Sequence, residues 1–194
     1  AVFIVNWDHT DNYIPACDNG FNYDVEFEFI HNDRYRETNN IFSLALAFDQ
    51  ISLDDDILLI ESDLIYTPDV IERAITSPYD NVALVSAYKT GLDGTVVKIS
   101  GNRIVSIYPP HLQDEKFDLF DKYKTLNIYK FSKEFCNNEF KKLLVYYAKA
   151  IDDNCYYELI LGILIYMQRQ VIFCEIIDNE KWVEVDDPND LLGA

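Results

Sequence analysis

The sequence predicts an α/β fold with parallel strands in one layer. Apolar, β-rich runs alternate with helical patterns almost to the end of the chain, the signature of a sheet with helical crossovers. Two of those runs, Ile57-Leu-Leu-Ile60 and Val82–Tyr88, are apolar at nearly every position, which marks strands covered on both faces. The 194 residues suffice for one domain with a sizeable core.

The elements follow in order. Residues 2–5 read as a strand and Asp11–Cys17 as a short helix closed by Asn19-Gly20. Val25-Glu-Phe-Glu-Phe-Ile30 alternates at period two, so it is a strand with one wet face. Thr38-Asn39-Asn40 offers N-caps to an apolar helix over residues 41–49. The run Ile57–Ile60 enters Glu61-Ser62-Asp63, and Thr67-Pro68 opens a helix to residue 75. Asp93-Gly94 and Gly101-Asn102 are turn signals that bracket hairpin strands at 95–98 and 104–108. A strand at 126–131 precedes a helix capped by Ser132 and running to about Ala150, and Asn154 caps a second over 155–168. Strands at 171–177 and 182–185, then a helix from Asp187-Pro188, complete the chain. The stretch Asp93–Asp121 is the most irregular and reads as an insertion or lid.

Sixteen Lys and Arg against 34 Asp and Glu give a formal charge of −18. Such a chain repels nucleic-acid backbone and anionic lipid, so neither is expected as a partner. An anionic substrate would need a metal ion between it and the protein. No run approaches the ~18 apolar residues of a membrane span, and residues 1–5 lack the basic start of a signal peptide. Cys17, Cys136, Cys155 and Cys174 stand far apart with no CxxC pair, which is poor zinc spacing and fits reduced, buried thiols in the cytoplasm. His9, His31 and His111 are scattered, and no Ser or Cys has a plausible base, so nucleophilic hydrolysis has little support.

Ligands of open α/β sheets bind at the carboxyl ends of strands, and two carboxylate groups sit there. Asp63 follows the Ile57–Ile60 run; Glu184 and Asp186 lie two apart on a strand, so both project to one face. Hard oxygen ligands from two strand ends suit Mg²⁺. Each Asp alone also reads as a cap or a strand end. Asn39, Asn40 and Ser43 stand where a loop enters a helix: amides read a base edge, and a helix N-terminus favours an anion. Capping alone accounts for one of the two asparagines. Tyr88, Tyr156, Tyr157 and Trp182 are candidates to line an apolar or cationic pocket with Glu158 near a positive group, with core packing as the plainer account.

Five segments together resemble the cytidylyltransferases that act on phosphocholine-like substrates, within the wider sugar-nucleotidyltransferase group. They are Asn32-x-x-Tyr35-x-x-Thr38-Asn39-Asn40-Ile41-Phe42-Ser43-Leu44, Ile60-Glu61-Ser62-Asp63, Asp93-Gly94-Thr95-Val96-Val97, Lys124-Thr125-Leu126-Asn127-Ile128-Tyr129 and Trp182-Val183-Glu184-Val185-Asp186. The resemblance covers nearly the whole chain and implies one nucleotidyltransferase-like domain over residues 1–194. The implied fold is Rossmann-like, with a mixed, mostly parallel central sheet flanked by helices.

The resemblance also implies transfer of CMP from CTP to a small phosphorylated or phosphonate amine, such as phosphocholine or 2-aminoethylphosphonate, with release of pyrophosphate. Asp63 and Asp186 then correspond to the catalytic, Mg²⁺-binding aspartates, with Glu184 completing the metal set. Asn39, Asn40 and Ser43 fall where the family recognises the nucleotide. Tyr88, Glu158 and Trp182 are assigned to the acceptor from position and chemistry rather than motif. A sugar-1-phosphate nucleotidyltransferase and a non-catalytic domain of the same fold are the alternatives, and a homodimer or a fused partner domain stays open. The family's opening strand, Gly-rich loop and Lys have no counterpart among these 194 residues, which contain six Gly. The expectation is a truncated chain with an incomplete fold edge and little activity by itself.

Overall fold

A computed structural model describes residues 2–6, 27–89 and 92–185. The expected helix at Asp11–Cys17, the residues His9 and Cys17, Asp186 and the helix from Asp187 lie outside the described residues. The chain forms two compact units, one of residues 1–52 and 141–157, the other of residues 53–140 and 158–194.

In the first unit, β1 (Val2–Asn6) pairs in parallel with β2 (Phe27–His31), in register from Val2↔Phe27 to Asn6↔His31. The helix α1 (Asn40–Gln50) buries Ile41, Leu44, Ala45, Ala47 and Phe48, one stripe at helical spacing. Asn39 is its N-cap, its side-chain oxygen accepting the Asn40 N–H at 2.7 Å. α1 packs against α4 (Lys141–Ala150).

The second unit is built on a six-stranded sheet ordered β3-β8-β5-β9-β7-β6. Its strands are β3 (Ile57–Ile60), β5 (Val82–Ala87), β6 (Val96–Ser100), β7 (Arg103–Tyr108), β8 (Lys122–Phe131) and β9 (Phe173–Ile176). β8 is the spine. It runs antiparallel to β5 on one edge; on the other its C-terminal half pairs with β3 and its N-terminal half with β6. Because β8 opposes both β3 and β5, those two share a direction, and β9 joins β5 in parallel from Val82↔Phe173 to Val85↔Ile176. The sheet is therefore mixed, as expected, but mostly antiparallel rather than mostly parallel: among the described residues β5–β9 is its one parallel pairing, because β8, antiparallel to each neighbour, stands at its centre.

A separate pair joins β4 (Leu64–Tyr66) antiparallel to β10 (Trp182–Glu184). Between β4 and β5 lies α2 (Pro68–Thr76), whose Val70 and Ala74 pack with Leu84, Leu126, Ile128 and Ile177. Leu64, Tyr66, Ile71 and Trp182 cover that cluster.

Several local expectations change. Residues 57–60 are not covered on both faces: Leu58 and Ile60 are 37% and 36% exposed, because β3 stands at one end of the six-stranded order. Thr67 makes no side-chain cap to α2; its hydroxyl lies 3.3 Å from the Lys181 carbonyl, which also accepts the Thr67 N–H. Ser132 does cap a turn, accepting the Phe135 N–H at 3.2 Å, but that turn, α3 (Lys133–Phe135), passes into a π-helical segment, Cys136–Phe140, before α4 begins. The helix expected from residue 155 starts later, as α5 (Glu158–Tyr166), because the Tyr157 N–H is drawn to the Asn40 side-chain oxygen at 3.0 Å. The Asp93–Asp121 stretch contains the β6–β7 hairpin, with Gly101 at φ 60° in the turn, followed by a short 3-10 helix at Pro110–Leu112 and a largely irregular segment to Asp121. No helix among the described residues is long and apolar enough to cross a membrane.

Cys136, Cys155 and Cys174 are free and buried. Burial, helped by Asp56, Asp152 and Glu175 respectively, lifts their thiols from 9.0 to about 12, 11 and 11. At pH 8 they stay protonated and shielded, so thiol reagents should label these three sites only on unfolding, which site-resolved mass spectrometry checks. Rapid labelling of Cys136 in the native chain would sink this. The raised values also set the alkaline behaviour: the stability they contribute is present below pH 9 and is lost as pH rises toward 11–12.

Candidate active site

The second unit brings two of the expected carboxylates to one end of the β4–β10 pair, Asp63 in the turn before β4 and Glu184 at the end of β10. β3 ends at Ile60, a turn at Ser62-Asp63 follows, and β4 begins at Leu64, whose register partner on β10 is Glu184. The Asp63 carbonyl accepts the Val185 N–H at 2.8 Å, tying the turn to the end of β10. The Oδ1 atom of Asp63 is buried, with no hydrogen-bond partner among the described residues. A buried carboxylate oxygen left without a donor costs about 1–3 kcal/mol or more, and a hard cation satisfies it. That orphaned oxygen fits a Mg²⁺ ligand. Asp186, two residues past Glu184, is outside the described residues. Among the described residues no three His, Cys, Asp or Glu side chains form a metal-binding group.

Glu184 has close partners on β8. Its Oε2 lies 3.0 Å from the ammonium of Lys124, which is fully buried, and its Oε1 accepts from Asn127 Nδ2 at 3.0 Å. Lys124 also donates to its neighbour's carbonyl, Thr125 O, at 3.0 Å. Asn127 has φ 57°, a left-handed residue inside a strand. It sits where the β8 register slips against β5, between Ala83↔Tyr129 and Val85↔Thr125. Bulges of this kind re-aim side chains beside functional sites. The Asn127 side-chain oxygen accepts from Thr125 Oγ1 at 2.8 Å, and its carbonyl accepts the Glu61 N–H at 3.1 Å.

Gly94 packs over the Lys124 ammonium. Its φ is +89°, and a Cβ there would lie 2.8 Å from Lys124 Nζ, so this is one position where only glycine fits. Gln113 fastens the Gly94 loop by donating to Gly94 O at 2.8 Å and Tyr108 O at 2.7 Å. None of Lys124, Asn127, Gly94 or Gln113 was assigned a role by the sequence. The available signal was weak: β8 reads Lys-Tyr-Lys-Thr-Leu-Asn-Ile-Tyr-Lys-Phe, with polar residues at half its positions, and nothing in that pattern singles out Lys124 or Asn127.

The three residues expected to contact the acceptor are also in this unit. Trp182 packs on the core cluster of Val70, Leu84 and Ile128, as the plainer account of the aromatics had it. Tyr88 is half-buried just past β5, its N–H reaching Lys122 O at 3.2 Å. Glu158 opens α5 and is 2% exposed, a carboxylate at the helix end that favours negative charge. Near Tyr88, Lys122 and Lys98 both pair with Asp121, whose carboxyl their hydrogen bonds hold down at about 2.

The nucleotide candidates occupy the first unit, where each has a structural partner. Asn39 caps α1 and its N–H reaches Asp153 O at 3.0 Å; Asn40 holds Tyr157; Ser43 accepts from the buried Asn32 Nδ2 at 3.0 Å. Asn32 also donates to Thr38 Oγ1 at 3.2 Å and accepts the Arg34 N–H at 2.9 Å. Both asparagines thus have structural partners, Asn39 within its own cap and Asn40 at a distance in sequence, where capping had accounted for only one.

The chain matches no protein-family model. It is 27% identical over 167 residues to CMP-5'-(3-aminopropyl)phosphonate synthase from Streptomyces rubellomurinus, an alignment of 86% of this chain and 26% of that protein. The chain thus spans about a quarter of that curated relative's length. Among solved structures it resembles the inositol-1-phosphate CTP transferase from T. maritima, with TM-score 0.70 and 16% identity over 97% of this chain and 70% of that one. It also resembles the CTP:phosphocholine cytidylyltransferase from Streptococcus pneumoniae, with TM-score 0.68 and 11% identity over 98% and 75%. The fold is that of nucleotidyltransferases, and these similarities bear out the resemblance carried by the five segments.

Proposed function

We propose that the chain carries the core of a CTP-dependent cytidylyltransferase that moves CMP onto a small phosphorylated or phosphonate amine and releases pyrophosphate. The observation that carries this reading is the buried Oδ1 of Asp63, without a donor among the described residues, in the turn after β3 of a nucleotidyltransferase fold. The aminopropylphosphonate product named for the curated relative supports an amine-bearing acceptor. Residues 1–194 are read as one domain of this enzyme, working in the cytoplasm.

In the reaction an acceptor phosphate or phosphonate oxygen forms a bond to the α-phosphorus of CTP as the bond to pyrophosphate breaks. An acceptor in its dianionic form has no proton to lose, so catalysis is chiefly positioning and charge neutralisation. Asp63, with Asp186, would hold Mg²⁺, which lets two anions meet on a chain of formal charge −18. Asn39, Asn40 and Ser43 are assigned to the nucleotide. Glu158 is assigned to the acceptor ammonium, with Tyr88 and Trp182 beside it.

The test is pyrophosphate release with CTP and Mg²⁺ across phosphorylated amines, phosphonates and sugar 1-phosphates, on this chain and on one extended upstream. CTP should be preferred over UTP and dTTP by about tenfold or more, the factor for ~1.4 kcal/mol of base discrimination. Preference for UTP or dTTP with a sugar 1-phosphate would favour the sugar-nucleotide alternative. A folded chain silent with every pair would leave the non-catalytic reading.

A further inference from the structure

We propose that Lys124 and Asn127 are positioning residues that act through Glu184, clamping the short strand β10 to the bulge of β8 and so fixing the Asp63 turn. Three independent features converge on this. Lys124 is wholly buried, and its ammonium faces Glu184 Oε2; a lysine withdrawn from water in this way is held for its partner. Asn127 adopts a left-handed backbone inside a strand, and the resulting bulge aims its amide at Glu184 Oε1 while its carbonyl receives the Glu61 N–H just ahead of Asp63. Gly94, locked by Gln113, leaves room for the ammonium that any Cβ would crowd.

The consequence departs from the sequence expectation for Glu184. With one oxygen facing Lys124 and the other facing Asn127, Glu184 is the anchor of β10 rather than a metal ligand. β10 has three residues, pairs with β4 and is tied to the Asp63 carbonyl through Val185. A strand that short does not hold its place by ladder hydrogen bonds alone. The clamp sets how the Asp63 turn and the end of β10 sit relative to each other, which is the geometry a two-carboxylate metal site requires.

The catalytic part of this inference rests on the cytidylyltransferase reading; the clamp itself does not, and the test separates them. Two variants are compared with wild type in the full chain. Asn127→Gly removes the amide but tolerates the left-handed backbone, and Lys124→Met/Glu184→Gln removes both charges together, so neither is left buried alone. Backbone amide exchange should rise about tenfold or more across residues 61–66 and 182–185 while residues 82–87 stay protected. In chain that turns over CTP, kcat should fall roughly 10–100-fold, the usual loss for an outer-shell partner of a metal site. The CTP KM should move less than about threefold, and more Mg²⁺ should be needed for half-maximal rate. Unchanged exchange in both segments overturns the clamp, as does a uniform rise that includes 82–87, which would mark a merely structural role. Loosened exchange with kcat and Mg²⁺ demand unchanged overturns the positioning role. If wild type turns over no substrate the cytidylyltransferase reading fails, and the exchange pattern still decides the clamp.

Discussion

Replacing Asp63 by Asn should lower pyrophosphate release from CTP by roughly 10²–10³-fold, the scale of losing one preorganised electrostatic group, while leaving the chain folded. The substitution keeps the size and removes the charge. Because Oδ1 has no hydrogen-bond partner among the described residues, the native contacts lose little, and the melting temperature should hold or rise slightly. That pairing of effects, activity lost with stability kept, is the mark of a group held for a ligand rather than for the fold. Steady-state assays across Mg²⁺ concentrations together with thermal melts check it. A variant at full rate would remove Asp63 from the mechanism, and one that fails to fold would give it a structural role.

The largest stability effect is expected from Phe131→Ala. Phe131 is fully buried at the end of β8 and meets Tyr129, Phe135 and Phe140 at ring-centroid distances of 5.5, 5.2 and 5.4 Å. Phe135 and Phe140 stack on each other at 5.5 Å. Removing the ring takes away one member of every contact but that last, in a place closed by β3 through Ile57↔Phe131. Phe→Ala changes at such sites cost about 3–5 kcal/mol. Urea titration followed by far-UV circular dichroism should show the midpoint falling with the slope unchanged. A loss below about 1 kcal/mol would mean that neighbouring rings collapse into the space.

Which parts were legible follows from what a pattern can carry. The apolar stripe of α1 and the Asn39 cap depend on neighbours in sequence, and the structure has both. The strand-end placement of Asp63 was legible because an apolar run stops abruptly in polar residues. Lys124 and Asn127 were quoted in a motif but given no work, since a strand pattern says nothing of a left-handed residue or of a partner some sixty residues on. The exposure of Leu58 and Ile60 escaped for a related reason: an apolar run reports composition, and whether a strand is central or terminal depends on pairing. Tyr157 shows the same limit on a helix start: its N–H donates to the distant Asn40 side-chain oxygen, and the helix begins at Glu158 rather than at the local cap expected from Asn154.

The pairing of β4 with β10 has a consequence for the order in which the protein is made. β4, the Asp63 turn and Lys124 leave the ribosome well before Trp182, Glu184 and Val185, the residues that complete their contacts. At about 5–20 residues per second the wait is on the order of ten seconds. During it the nascent chain carries a buried-type lysine without its carboxylate and a strand without its mate. The corner around the Asp63 turn therefore closes only after residues 182–185 have emerged, and a stall or cleavage ahead of residue 182 would release a chain with much of its sheet but without the β4–β10 pair.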